Sequence, residues 1–298
     1  SLLSMGLGKN DHVGILMPNS IQWAVAWFAV TRIGAVAVPL NTFYKASELA
    51  WTTRHADLRA ILAWAQFRNQ DFVGLLEEAL PGLAEQRDPG RLTVRTAPYL
   101  RTVAVWGDCD RPWSTSIADE PSTRFDGEFL VAIESCVTPA DDAMIIYTSG
   151  STGNPKAPVH SHGALVRHTY NLTSHYGVTA DSVMFTSMPF FWVGGLITGL
   201  HAVIHHGATL VTQPAFDPAE ALELIEKHRA TITLGWPQQG KTLAEHHDFG
   251  HRDLSSVRRT SMPAMVAKAA PLAMSGKPEM PIGRPLRTFR ARMRRATS

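Results

Sequence analysis

Apolar and polar positions alternate between two periods along the first 64 residues. Residues 12–17 form a short β-like run closed by Pro18-Asn19. Asn19-Ser20 then offer capping side chains for a helix in which Ile21, Ala24, Val25 and Phe28 recur at helical spacing. Trp23, Trp27 and Val30 make the opposite face apolar too, which predicts a helix buried on most sides. Gly34 ends it, residues 35–40 are a second β-type run, 47–55 read as helix and 58–64 as strand. This β-α-β-α-β order predicts an α/β fold: a mostly parallel sheet with helices on its faces.

Residues 81–126 are richer in Pro, Gly, Arg and Asp, with one apolar run at 103–106, and read as a surface excursion. Alternation resumes with a strand at 143–148, a Gly/Ser/Thr loop, a helix over 161–174, a strand at 183–187, an apolar helix near 196–204 and a strand at 208–212. Asp217-Pro218-Ala219-Glu220 is a helix start, with Asp at the cap, Pro at the first position and Glu three residues after the cap. Leu222, Ile225 and Glu226 continue that helix, and 231–234 is the next strand. Beyond His251 the pattern breaks, and Pro263, Pro271, Pro278, Pro281 and Pro285 leave no strand to place in 260–285. The expected division is a domain over 1–262 and an irregular Pro/Arg-rich tail over 263–298.

The segment with the most chemistry is Thr148-Ser149-Gly150-Ser151-Thr152-Gly153-Asn154-Pro155-Lys156. A buried strand delivers hydroxyls, glycines and one lysine into a single short loop. Glycines let backbone N–H groups approach an anion, hydroxyls add donors, and the ammonium adds a point charge, so the loop suits a polyphosphate. It is not a Walker A loop, which ends in Gly-Lys-Ser/Thr; here Pro155 precedes Lys156 and Ala157 follows.

Composition narrows the remaining classes. With 45% hydrophobic and 18% charged residues in 298, the chain has globular rather than disordered composition. A net charge of +2 gives no reason to expect a nucleic-acid partner, although the last fifteen residues hold Arg284, Arg287, Arg290, Arg292, Arg294 and Arg295 without a carboxylate. Only Cys109 and Cys136 occur, so no disulfide framework or cysteine zinc site is expected, and a reducing compartment is the default. The longest apolar runs, 21–40 and 188–204, are interrupted by polar residues, glycines and Pro189, and predict no membrane span. The N-terminus lacks a basic and then apolar leader pattern, so the expected location is cytoplasmic. His160/His162 and His201/His205 have ligand-compatible spacing without the accompanying Glu of a zincin, so no metal is assigned to them, and His246-His247 read as solvated.

Residues 148–156 resemble, almost letter for letter, the phosphate-binding signature of the AMP-forming acyl-CoA synthetases of the adenylate-forming superfamily. Val159-His160-Ser161-His162-Gly163-Ala164-Leu165 is similar to that signature's continuation. Residues 11–20 and 34–41 also look like the family. So does Met188-Pro189-Phe190-Phe191-Trp192-Val193-Gly194-Gly195, similar to its aromatic segment beside the acyl pocket. The resemblance covers about residues 5–262.

It implies activation of a carboxylic acid, of fatty type, by ATP with Mg²⁺, giving an acyl-adenylate from which coenzyme A displaces AMP. Thr148, Ser149, Gly150, Ser151, Thr152, Gly153 and Lys156 would hold the β- and γ-phosphates, with Lys156 as the catalytic residue. Phe191 and Trp192 would line the acyl channel, Gly194 and Gly195 would leave it room, and Trp236 would form a second part of its wall. Each tryptophan is equally suited to plain core packing. The family's Gly-x-Thr-Glu and Thr-Gly-Asp motifs do not occur, and its hinge and lysine-bearing small domain have no counterpart. The chain is thus expected to correspond to part of an N-terminal domain, with a remnant that at most binds nucleotide or a partner as the alternative.

Overall fold

The computed structural model describes residues 1–117, 125–148 and 155–269. Ser149, Gly150, Ser151, Thr152, Gly153 and the arginine-rich residues 284–298 lie outside the described residues.

Strand β1 (His12–Leu16) is flanked in parallel by β2 (Val36–Pro39) and β3 (Ala60–Trp64), with Val13 opposite both Ala37 and Ala60. Gly14 lets this centre close, because a Cβ there would lie 2.9 Å from the Leu40 and Leu58 methyls. Helix α1 (Ile21–Arg32) starts at Ser20, whose hydroxyl accepts from the Trp23 N–H. Helix α2 (Ala46–His55) leads into β3; a small hairpin, β4 (Gln66–Phe67) and β5 (Gln70–Asp71), precedes α3 (Phe72–Ala79).

The predicted surface excursion instead supplies core. It holds β6 (Thr102–Trp106) and β7 (Ser114–Ser116), which extend the sheet in parallel beyond β3, and its Leu83, Leu92, Leu100 and Trp113 are fully buried. Apolar residues spaced by prolines and turns show neither period, although they pack as a unit under the sheet. Helix α4 (Gly127–Ser135) then leads to β8 (Asp142–Ile145) and β9 (Val159–Ser161). Among the described residues this sheet has the order β7-β6-β3-β1-β2-β8-β9, and only β8–β9 is antiparallel.

Helix α5 (His162–Tyr176) connects to a second sheet built from β10 (Val183–Thr186), β11 (Thr209–Thr212), β12 (Ile232–Leu234) and β13 (Arg259–Thr260). Its order is β11-β10-β12-β13, all parallel. The expected apolar helix is two elements: Gly194–His201 winds as a wider π-helix, and α6 (Ala202–His206) follows as an α-helix. Helix α7 (Pro218–Lys227) begins as its sequence predicts, with the Asp217 carboxylate accepting from the Glu220 N–H at 2.9 Å. Past His251, where the pattern breaks in sequence, β13 still pairs with β12, and α9 (Pro263–Ala269) packs on α8 (Pro237–Glu245).

Side chains of β1 alternate between two cores. Leu16 joins Ile61, Phe72 and Trp113 on one side, while Val13 and Ile15 meet Trp23, Trp27, Phe190 and Leu196 on the other. The second core therefore joins α1 to the segment that follows β10. Trp23 and Trp27 stack at 5.7 Å there, and truncating either to alanine would cost ~3–5 kcal/mol. The expectation that α1 is buried on most sides fails on its other face, where Ile21 is 80% and Val25 55% exposed. These residues border an open groove of about 540 Å³ shared with Phe28, Ile204 and Leu210. No helix among the described residues is long and apolar enough to cross a membrane.

Candidate functional site

The Gly/Ser/Thr residues 149–154 lie between two described residues, Thr148 and Lys156, that extend the β8–β9 pair. Beyond β8 the chain continues through Ile146, Tyr147 and Thr148, and the strands stay paired: the Ile146 N–H donates to the Pro158 carbonyl at 3.2 Å. Thr148 and Lys156 then exchange both backbone hydrogen bonds, at 2.9 and 3.0 Å. The expected strand-loop-helix order thus gains a return strand, and the loop hangs from a closed backbone pair. At its base Lys156 is exposed, with no carboxylate partner among the described residues, and Thr148 is half-buried.

Tyr147 anchors the loop's base from below. Its hydroxyl shares a 2.7 Å hydrogen bond with His55 Nδ1, and the His55 ring stacks on Trp51 at 4.5 Å. Burial holds the Tyr147 phenol well above its ordinary range, so it stays neutral. The base therefore offers the Thr148 hydroxyl and the Lys156 ammonium, a pair that fits a phosphate, over the buried, neutral Tyr147. With no carboxylate, this set does not by itself hold Mg²⁺.

The aromatic segment leaves the C-terminal end of β10, the edge at which open parallel sheets place ligands. Phe190 turns inward, 2% exposed, with its ring 5.3 Å from Trp23. Phe191 instead meets Phe43 edge-on at 6.2 Å, and Trp192 is 39% exposed. Phe43 lies on the turn after β2, so the two sheets' C-terminal ends meet here. Gly195 serves contact more than space, because a Cβ there would overlap the carbonyl oxygens of Met188 and Pro189. At Gly194 the obstacle would be the flexible end of Met188.

Trp236 caps α8 and is 41% exposed. Gln239 ties it to the same rim: its carbonyl accepts from the Trp236 N–H at 3.0 Å and its amide donates to Ser187 Oγ at 3.1 Å. Phe191, Trp192 and Trp236 therefore share one edge of the second sheet. Sequence reasoning missed Phe43, Gln239 and His55, and gave Asn19 only a capping role that Ser20 performs. Each acts through a contact distant in sequence, and only Asn19 leaves a trace there, as a polar residue between an apolar strand and an already capped helix.

The histidines fall elsewhere. His162 opens α5 with a buried, unpartnered Nε2, and burial lowers its pKa. His201, packed against Trp27 at 5.4 Å, is pushed down to about 4 by burial. His246 is not solvated as expected: its ring is largely covered and its Nδ1 accepts from the Asp248 N–H. Among the described residues His246, His247 and Asp248 bring potential ligand atoms within 4.8 Å, but Arg252 already lies 3.8 Å from the Asp248 carboxylate.

A family model described as AMP-binding enzyme matches residues 1–280. The chain is similar to the medium-chain acyl-CoA ligase ACSF2, mitochondrial, of Rattus norvegicus, at 30% identity over 86% of this chain and 43% of that protein. It is also similar to the 3-[(3aS,4S,7aS)-7a-methyl-1,5-dioxo-octahydro-1H-inden-4-yl]propanoyl:CoA ligase of Mycobacterium tuberculosis, at 32% identity over 87% of this chain and 48% of that protein. Among solved structures, the inhibitor-bound N-terminal domain of FACL13 from Mycobacterium tuberculosis has the same fold. Its TM-score is 0.68 at 24% identity, over 91% of this chain and 62% of that one. The chain spans about half the length of the curated relatives it matches.

Proposed function

The chain belongs to the AMP-binding enzyme family, and from that premise we propose that it takes part in ATP-dependent activation of a carboxylic acid for transfer to coenzyme A. The observation that carries this reading is the backbone pair of Thr148 and Lys156 on either side of the Gly/Ser/Thr residues, with an exposed ammonium beside it. In the first step a carboxylate oxygen attacks the α-phosphorus of ATP, the bond to the bridging oxygen breaks, and pyrophosphate leaves. In the second, the thiol sulfur bonds to the acyl carbon as the carbon–oxygen bond to AMP breaks and the thiol proton is lost.

Adenylation is needed because a free carboxylate would have to expel oxide, whereas the adenylate expels a stable phosphate monoester. Positioning and charge neutralisation dominate such a transfer. Thr148, Ser149, Gly150, Ser151, Thr152 and Gly153 hold the β- and γ-phosphates in this reading, and Lys156 balances the charge gathering on the departing pyrophosphate. Mg²⁺ would arrive on the phosphates and add to that neutralisation. Phe191, Trp192, Gly194 and Trp236 form the acid pocket in this reading, with Gly195 only letting the chain pack beneath it, and the aromatic wall favours an apolar, fatty acid. Free Cys109 and Cys136 suit a reducing, cytoplasmic setting.

A second reading is nucleotide binding without turnover: the paired base offers the Thr148 hydroxyl and the Lys156 ammonium to a phosphate but, of itself, no carboxylate to Mg²⁺. Exchange of labelled pyrophosphate into ATP separates the two. Exchange that depends on an added acid, tested across straight-chain acids, and that Lys156→Ala abolishes supports activation. ATP binding without exchange for any acid supports the second reading.

A further inference from the structure

Asn19 is 3% exposed and uses its amide in three directions. Its Oδ1 accepts from the Phe190 N–H at 2.7 Å, and its Nδ2 donates to the Met188 carbonyl at 3.0 Å and to Thr212 Oγ1 at 3.1 Å. Its partners fix the amide's orientation, because an N–H demands the oxygen and a carbonyl demands the nitrogen. Asn19 follows β1 in the first sheet, whereas Met188 and Phe190 follow β10 and Thr212 ends β11 in the second. One side chain thus joins the C-terminal ends of both sheets.

The residues it grips lead directly into the acid pocket. Phe191 and Trp192 are the next two residues, and Gly195 rests on the same Met188 and Pro189 carbonyls. On the α1 side, Phe190 is locked against Trp23. The turn between β10 and the π-helix therefore has its backbone held by Asn19 and its inward ring held by α1, which leaves Phe191 and Trp192 to project outward.

Resting on the pocket reading above, we infer that Asn19 is a positioning residue that sets the placement of Phe191 and Trp192, and so the affinity for the acid but not for the nucleotide. Asn19→Asp keeps the acceptor for Phe190 and removes the donor to Met188, whose carbonyl then faces a carboxylate oxygen. Thr212→Val removes the β11 arm, together with a 3.4 Å bond from the same hydroxyl to the Gln213 carbonyl. Thr173→Val removes a buried hydroxyl bonded to the Thr169 carbonyl and to His206, away from the pocket, and controls for lost stability.

The test titrates the full chain with Mg·ATP and, separately, with straight-chain carboxylates from butyrate to palmitate by calorimetry. Asn19→Asp is expected to weaken the best-bound acid about tenfold while Mg·ATP stays within about twofold, and Thr212→Val to give a smaller acid-only loss. Thr173→Val should move neither. Unchanged acid affinity in folded Asn19→Asp overturns the assignment, as does a parallel loss of acid and nucleotide affinity matched by Thr173→Val. If Asn19→Asp does not fold, Thr212→Val decides: an acid-only loss supports the role and no loss overturns it. A native chain that binds Mg·ATP and none of the acids contradicts the pocket reading itself, and the role of Asn19 falls with it.

Discussion

The Gly/Ser/Thr segment and the aromatic segment both follow the C-terminal ends of β-strands, yet their described anchors are of opposite kinds. The base of the first is paired by neighbouring backbone: Thr148 and Lys156 exchange two hydrogen bonds, and the Lys156 ammonium stands in solvent. The aromatic segment is fixed by side chains from elsewhere, with Asn19 gripping its backbone and Gln239 bridging Ser187 to Trp236. A loop closed by neighbours can lose its chemistry without loss of fold. A segment held by distant buried groups loses packing and shape together.

The largest expected effect separates these two behaviours. Lys156→Ala should lower acid-dependent pyrophosphate exchange by about 10²–10³-fold, the scale for removing one charge-stabilising donor. Because Lys156 is exposed, its unfolding free energy in urea should stay within ~0.5 kcal/mol of the native chain. A large loss of stability instead would make the loop as dependent on its side chains as the aromatic segment.

On the other side, His201 ends the π-helix that follows the aromatic segment, buried against Trp27 and Phe28. Burial lowers its pKa from 6.5 to about 4, so the unfolded chain takes up the proton first. Its contribution is complete above about pH 6.5 and is lost as the pH falls toward 4, by up to ~1.4 kcal/mol per unit. His201→Phe, which has no proton to gain, should flatten that limb of a stability-against-pH curve. An unchanged acid limb would place its cause elsewhere.

Gly195→Ala forces a Cβ onto the Met188 and Pro189 carbonyls and should destabilise by about 1–3 kcal/mol in urea unfolding, with any activity change following the loss of fold. Gly194→Ala should cost less, because the end of Met188 can swing away. The smallest effect returns to the loop: Tyr147→Phe removes the hydrogen bond to His55 and should cost about 1 kcal/mol.

The same contrast decides what is legible in sequence. The nine residues 148–156 are contiguous, so composition and order are enough to propose their chemistry. The β-α-β-α-β pattern is legible for a related reason, since each element is longer than the period that marks it. Residues 81–126 hide β6 and β7 because Leu83, Leu92, Leu100 and Trp113 gain their partners from α3 and the sheet rather than from their neighbours. The open face of α1 is hidden as well: Ile21 and Val25 have core-like chemistry, and only the fold leaves them uncovered. Phe43 reaches Phe191 and Asn19 reaches Met188 across more than a hundred residues, and no local pattern encodes such contacts.

In the reading proposed above, residues 148–156 hold the phosphates of ATP. Its most direct test is the thermal midpoint of the chain with and without Mg·ATP, measured beside Lys156→Ala. At about 100 times the dissociation constant, binding to the folded state adds ~2.7 kcal/mol, which for a domain of this size raises the midpoint by about 5–10 °C. The midpoint should rise in the native chain and fail to rise in Lys156→Ala. A cooperative transition indifferent to Mg·ATP, or one raised equally in both proteins, would contradict it.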